Sequence, residues 1–89
     1  MEPTNSPSVE VDRDIVSGRA AIDEIDRQIA LLLVRRKELS FAVQLRKRSL
    51  GFDHFDARRE ERIVALFDAR ASGAGAVIER VLAWCRNDR

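Results

Sequence analysis

The stretch RAAIDEIDRQIALLLVRRKELSFAVQLRKRSL, residues 19–50, decides the fold. Its apolar positions Ile22, Ile25, Ile29, Leu32, Leu39, Val43 and Leu50 follow one another in steps of three and four, or of their sum. That spacing gathers them on one side of an α-helix. Three cations interrupt the stripe. Arg36 fills the place missing between Leu32 and Leu39, Lys47 follows Val43 by one turn, and Arg19 precedes Ile22 by one turn. A cation on a face meant for burial is costly unless an anion meets it. Few carboxylates of the chain share that face, so the seam is built to receive an anion from outside.

Outward from this stretch, neither proline nor interior glycine breaks the periodicity from Arg19 to about Arg48. Asp12 and Ser17 are both good N-cap residues for its start, and Gly18 is a mild blemish beside them. Thirty residues of helix make a rod of about 45 Å. A globule of this length has a radius of gyration near ~12 Å, so such a rod must lie against something else, most simply a second copy of the chain. Residues 1–11, with Pro3, Asn5 and Pro7, read as a flexible leader to one domain over residues 12–89. Ser49 to His54 reads as a turn marked by Gly51 and Asp53. A second helix follows from Phe55 or Asp56 to Ala71, with Ile63, Val64, Leu66 and Phe67 on its apolar side. SGAG at 72–75 ends it, and a third helix holds Val77, Ile78, Val81, Leu82, Trp84 and Cys85. The expectation is an all-α fold of three helices: one long, one medium and one short.

Composition agrees. Glycine and proline are scarce and tyrosine is absent, which favours helices. The chain has 89 residues, a short length for burying a core unaided. Charged residues make up 35% of it, yet the net charge is only +1. So even a balance points to neither nucleic acid nor a membrane surface. Cys85 has no intrachain partner, which fits a reducing compartment. The first residues lack a basic start with an apolar run behind it, and no stretch approaches the roughly 20 apolar residues of a membrane span. The cytoplasm is the expected location.

Two groups of residues could carry chemistry. Arg36 and Lys47 are eleven positions apart, three turns to within about 20°, so they face one side at roughly 16 Å along the axis. Two long side chains leaning together could hold a small dianion. Arg19 is ~25 Å from Arg36 along a straight helix, too far to share that site within one chain. In an antiparallel pair of long helices it could come opposite Arg36 of the other copy. The second group, Asp56, Arg59 and Glu60, opens the second helix at i, i+3, i+4. Taken alone, these read as an acidic cap with a local ion pair. Likewise Lys47 alone reads as a cation snorkelling at a helix end, and Arg36 as a structural cation paired to a neighbouring Glu. His54 is the lone histidine, and nothing near it has metal-ligand spacing, so neither metal nor cofactor is expected. Cys85 reads as a small buried hydrophobe, and Trp84 as core or interface.

Read together, these residues resemble the all-helical chorismate mutases. That family opens with Arg-x-x-Ile-Asp-x-Ile/Leu-Asp, here Arg19-Ala20-Ala21-Ile22-Asp23-Glu24-Ile25-Asp26. Leucines lead to Arg35-Arg36-Lys37-Glu38-Leu39, and a cation follows eleven residues after the active-site arginine. Asp56-Ala57-Arg58-Arg59-Glu60 matches the motif of the second helix. The likeness covers residues 13–89, without a gap over 19–60. It implies an intertwined homodimer that converts chorismate to prephenate, on the route to phenylalanine and tyrosine. By this resemblance Arg36, Lys47 and Arg59 contact the substrate's carboxylates and ether oxygen, and Arg19 reaches in from the other subunit. Asp56 accepts the ring hydroxyl, and Glu60 contacts that hydroxyl or orients its neighbours. Catalysis would rest on Arg36, Lys47, Arg59 and Glu60.

The chain departs from the family at its end, where a glutamine on the third helix usually closes the site. Its short ending is similar to that of the compact actinobacterial subclass, which DAHP synthase, the first shikimate-pathway enzyme, activates by docking. Isochorismate-pyruvate lyases and aminodeoxychorismate mutases use a related pocket and are alternatives on the same fold. A non-catalytic helical dimerisation module is the alternative of another class. Such a seam explains the apolar stripe but not the joint occurrence of Arg36, Lys47 and the Asp56 group.

Overall fold

A computed structural model describes residues 7–52 and 55–87, with side-chain surroundings from Asp12 to Phe52 and from Phe55 to Arg86. It contains α1 (Pro7–Ser49), α2 (Ala57–Arg70) and α3 (Ala74–Asn87), and no strand among the described residues. The chain divides into two units, Met1–Leu32 and Leu33–Arg89, and α1 contributes to both. His54 and Asp53 lie outside the described residues, as do the first six residues of the expected leader.

Helix α1 is recorded from Pro7, ahead of the expected start at Asp12 or Ser17. In the first unit Glu24 and Arg27 pair one turn apart at 2.7 Å on the solvent side. The apolar stripe of this unit is uncovered: Ile22, Ile25 and Ile29 are 56%, 52% and 48% exposed.

The second unit owns the core. Ile78, Leu82 and Cys85, all on α3, are buried, and α2 packs against α3. Within this unit the partly buried positions of α1 are Leu33, Arg36, Lys37, Ser40, Gln44 and Lys47. They form a helical face beside the apolar stripe rather than the stripe itself. Polar contacts fasten this face to α3. Lys37 Nζ donates to the Trp84 carbonyl at 2.6 Å and lies 4.3 Å from the centroid of that indole ring. Gln44 donates to the Cys85 carbonyl at 3.5 Å. Leu39, Val43 and Leu50 of the stripe stay exposed.

The ends of the helices set the geometry. Leu50 and Gly51 close α1 with Gly51 at φ +84°, a conformation that favours glycine. The Gly51 N–H donates to the Arg48 carbonyl at 3.0 Å and the Phe52 N–H to the Lys47 carbonyl at 2.7 Å. These bonds satisfy carbonyls a helix end would otherwise leave open. The helix therefore ends at Ser49, and the chain turns at Leu50 and Gly51, one turn beyond Lys47.

Helix α3 begins at Ala74, inside the SGAG segment expected to be only a break, and its 14 residues equal the 14 of α2. The expected order of long, medium and short is thus corrected to one long helix and two equal ones. The cause is tertiary: Asp68 Oδ1 on α2 accepts the Gly75 N–H at 2.8 Å, satisfying a donor at the start of α3. A cap seven residues upstream leaves no mark in the local pattern.

Candidate active site

A cleft of about 580 Å³ opens in the second unit, within the usual size range for small-molecule sites. Helix α1 lends it Arg36, Ser40, Val43, Gln44, Lys47 and Arg48. The connection adds Phe52 and Phe55, the start of α2 adds Asp56, Arg59 and Glu60, and the end of α3 adds Leu82, Cys85 and Arg86. Five of the six residues singled out in the sequence thus line one cleft. The sixth, Arg19, belongs to α1 in the first unit.

Local structure explains how they converge. Arg36 and Lys47 stand on the face of α1 that carries Ser40 and Gln44 between them, at helical spacing. The glycine-ended reversal then returns the chain to the same side. Asp56 stops the connection and starts α2: its Oδ1 accepts the Arg59 N–H at 3.0 Å as an N-cap. The plain reading of Asp56 as an acidic cap is therefore correct for that oxygen. A carboxylate has a second oxygen, which leaves capacity for another donor.

The other plain readings fare differently. Among the described residues neither Arg36 nor Arg59 has an ion-pair partner, although both line the cleft. Glu60 does not pair with Arg59 on its own helix; it accepts a hydrogen bond from Arg86 Nη1 at the end of α3. The Arg86 guanidinium also lies over the Phe55 ring, 4.7 Å from its centroid. Among the described residues of this lining, Arg36, Lys47, Arg48, Arg59 and Arg86 outnumber the carboxylates Asp56 and Glu60. A predominance of cations in a partly enclosed space attracts a small anion. The apolar surfaces of Val43, Phe52, Phe55 and Leu82 fit a hydrocarbon ring or side chain beside that anion.

Arg86 escaped the sequence reading, yet the signal was there. It follows Ile78 and Leu82 at successive steps of four, so it interrupts the buried face of α3 as Arg36 interrupts the stripe of α1. Cys85 is buried and free, as expected. Trp84 is partly exposed beneath Lys37.

Comparison with known proteins adds one match. A family model described as chorismate mutase type II matches residues 18–87, most of the chain. No curated protein and no solved structure matches.

Proposed function

We propose a mechanism from one premise: the chain belongs to the chorismate mutase type II family, and it is a chorismate mutase, an isomerase. The single observation that carries the mechanism is the convergence of Arg36, Lys47, Asp56, Arg59 and Glu60 on one cleft. Chorismate bears two carboxylates, a ring hydroxyl and an enolpyruvyl ether. In the rearrangement the ether C–O bond breaks while a C–C bond forms within the same molecule. No nucleophile, proton donor or cofactor is consumed.

Two things are left for the protein to supply. The first is a compact substrate conformer, because holding the reacting carbons together removes much of the entropic barrier. Arg36 and Arg59 suit this role, since guanidinium forks bind carboxylates in a fixed plane. The second is a donor aimed at the ether oxygen, where negative charge grows. Lys47 is that donor in our reading: an interaction stronger in the transition state than in the ground state raises turnover, and one such donor is worth about 3–4 kcal/mol. Asp56 accepts the ring hydroxyl through the oxygen not used as a cap, and Glu60 contacts or orients the same group.

Arg19 completes the site from a second copy. What supports a homodimer is the uncovered stripe, Ile22, Ile25, Ile29 and Leu32 in the first unit and Leu39 and Val43 in the second. Exposed apolar patches of this extent mark interaction sites. We further propose that DAHP synthase docks beside the cleft and that the chain works with it in the cytoplasm. Leu50, Phe52 and Phe55 are exposed where the chain enters α2, which suits a partner surface. Among the described residues no helix is long and apolar enough to cross a membrane.

The test is the loss of chorismate absorbance with the purified chain, alone and with DAHP synthase from the same source. Turnover that rises with the synthase is expected. Equal turnover with and without it would remove the partner from the proposal. Preference for isochorismate or aminodeoxychorismate would reassign the substrate.

A further inference from the structure

The cleft has to bind a dianion, yet two of its lining residues are carboxylates. An unpaired carboxylate beside the substrate would repel it, and the low-dielectric walls would strengthen that repulsion. Asp56 spends one oxygen on the cap of α2. Glu60 has no such backbone contact; its partner is Arg86. Both side chains of this pair are mostly shielded, with 34% of Arg86 and 21% of Glu60 accessible. The pair therefore lies between a surface ion pair, worth little, and a fully buried one.

Three separate segments meet at Arg86. It projects from the last turn of α3, bonds Glu60 one turn into α2, and covers the Phe55 ring just before α2 begins. Stacking fixes the plane of a guanidinium and leaves its edges to donate hydrogen bonds. The Glu60 carboxylate is thus held by a donor that also rests against the Phe55 ring.

We propose that Arg86 is a positioning residue for the mutase reaction: it neutralises and aims Glu60, so that the cleft keeps an acidic acceptor for the substrate's hydroxyl without repelling its carboxylates. This inference rests on the chorismate mutase reading of the cleft. It assigns a task to the end of α3 that no motif of the sequence predicted. Among the described residues, the charged groups that line the cleft with Glu60 are Arg36, Lys47 and Arg48 from α1, Asp56 and Arg59 from the start of α2, and Arg86. Arg86 bonds it directly.

The test is a double-mutant cycle between Arg86→Gln and Glu60→Gln. It reads kcat and KM for chorismate, and the prephenate dissociation constant by calorimetry. In the wild-type background Arg86→Gln should raise KM and the prephenate constant roughly tenfold, and change kcat much less. In the Glu60→Gln background the same substitution should change them less than about threefold, because no charge is left to neutralise. Arg86→Lys keeps the charge without the planar fork and should fall between wild type and Arg86→Gln. It also takes the place of Arg86→Gln in the cycle if that variant does not fold. An equal rise in both backgrounds would overturn the proposal, since Arg86 would then act independently of Glu60. A wild-type chain that neither turns over chorismate nor binds prephenate would instead overturn the cleft reading itself, and the proposal with it.

Discussion

In the first unit of the chain Ile22, Ile25 and Ile29 stand on one side of α1 and none of them is buried. In the second unit the same helix continues, but there Lys37 and Gln44 bind the backbone of α3, and Ile78, Leu82 and Cys85 form a core. One periodic pattern therefore serves two ends. Where a helix has companions in its own unit, its neighbouring polar face meets them and encloses a cleft. Where it has none, its apolar stripe stays exposed. Burial of apolar surface contributes about 25 cal/mol per Å², so a row of half-exposed isoleucines is a large contribution that the chain alone does not collect. In this account the second unit carries the chemistry, and the first carries assembly and one donated arginine.

The largest expected effect breaks the comparison from the side of the cleft. Arg36→Leu should reduce kcat/KM by about a hundredfold or more, because the forked bond to a substrate carboxylate and the positioning it supplies are lost together. Sedimentation should show its oligomeric state unchanged. A seam residue would behave in the opposite way, because leucine would extend the stripe. Next comes the first unit. Ile25→Asp should abolish the dimer and cost about 3 kcal/mol of stability, as expected for a charge placed where an apolar side chain should be buried. Melting temperature against protein concentration reads this directly: the wild type should show a dependence and the variant none.

A smaller effect sharpens the picture of the second unit. Asp68→Ala removes the cap on Gly75 and should lower stability by about 1 kcal/mol, read by thermal melting. Gly75 itself is tight, since a Cβ there would come within 2.5 Å of the Asp68 carboxylate. The smallest effect belongs to the solvent side of the first unit. Arg27→Ala breaks an exposed pair with Glu24 and should cost no more than about 0.5 kcal/mol in the same melts.

Much of this was legible in the sequence, for identifiable reasons. Stripe spacing revealed α1, and Asp56 and Ala71 bracket α2 as the N-cap and C-cap of the observed helix. Gly51 marked the reversal because only a left-handed residue closes a helix in that way. The cations on α1 and the Asp56 group stood out because each broke a local rule for a helix face. Residues that obey local rules stayed silent. The start of α3 depends on Asp68, which belongs to the preceding helix and meets Gly75 only once the chain has turned between α2 and α3. Arg86 did break the buried face of α3 after Ile78 and Leu82, but its partners Glu60 and Phe55 lie far from it in sequence, so its role was not legible. The polar face of α1 that meets α3 was hidden for a related reason. Lys37 and Gln44 contribute through hydrogen bonds to carbonyls, and a hydropathy pattern does not register those.

The central claim is that the cleft of one copy is completed by Arg19 of another. The most direct measurement mixes two inactive variants, Arg19→Ala and Arg36→Leu, after unfolding and refolding them together. In a mixed dimer one site has lost both residues and the other has lost neither. Random pairing should therefore restore about a quarter of wild-type chorismate turnover. A mixture no more active than its two parents would contradict the account, because Arg19 and Arg36 would then act within one chain or not in one site at all.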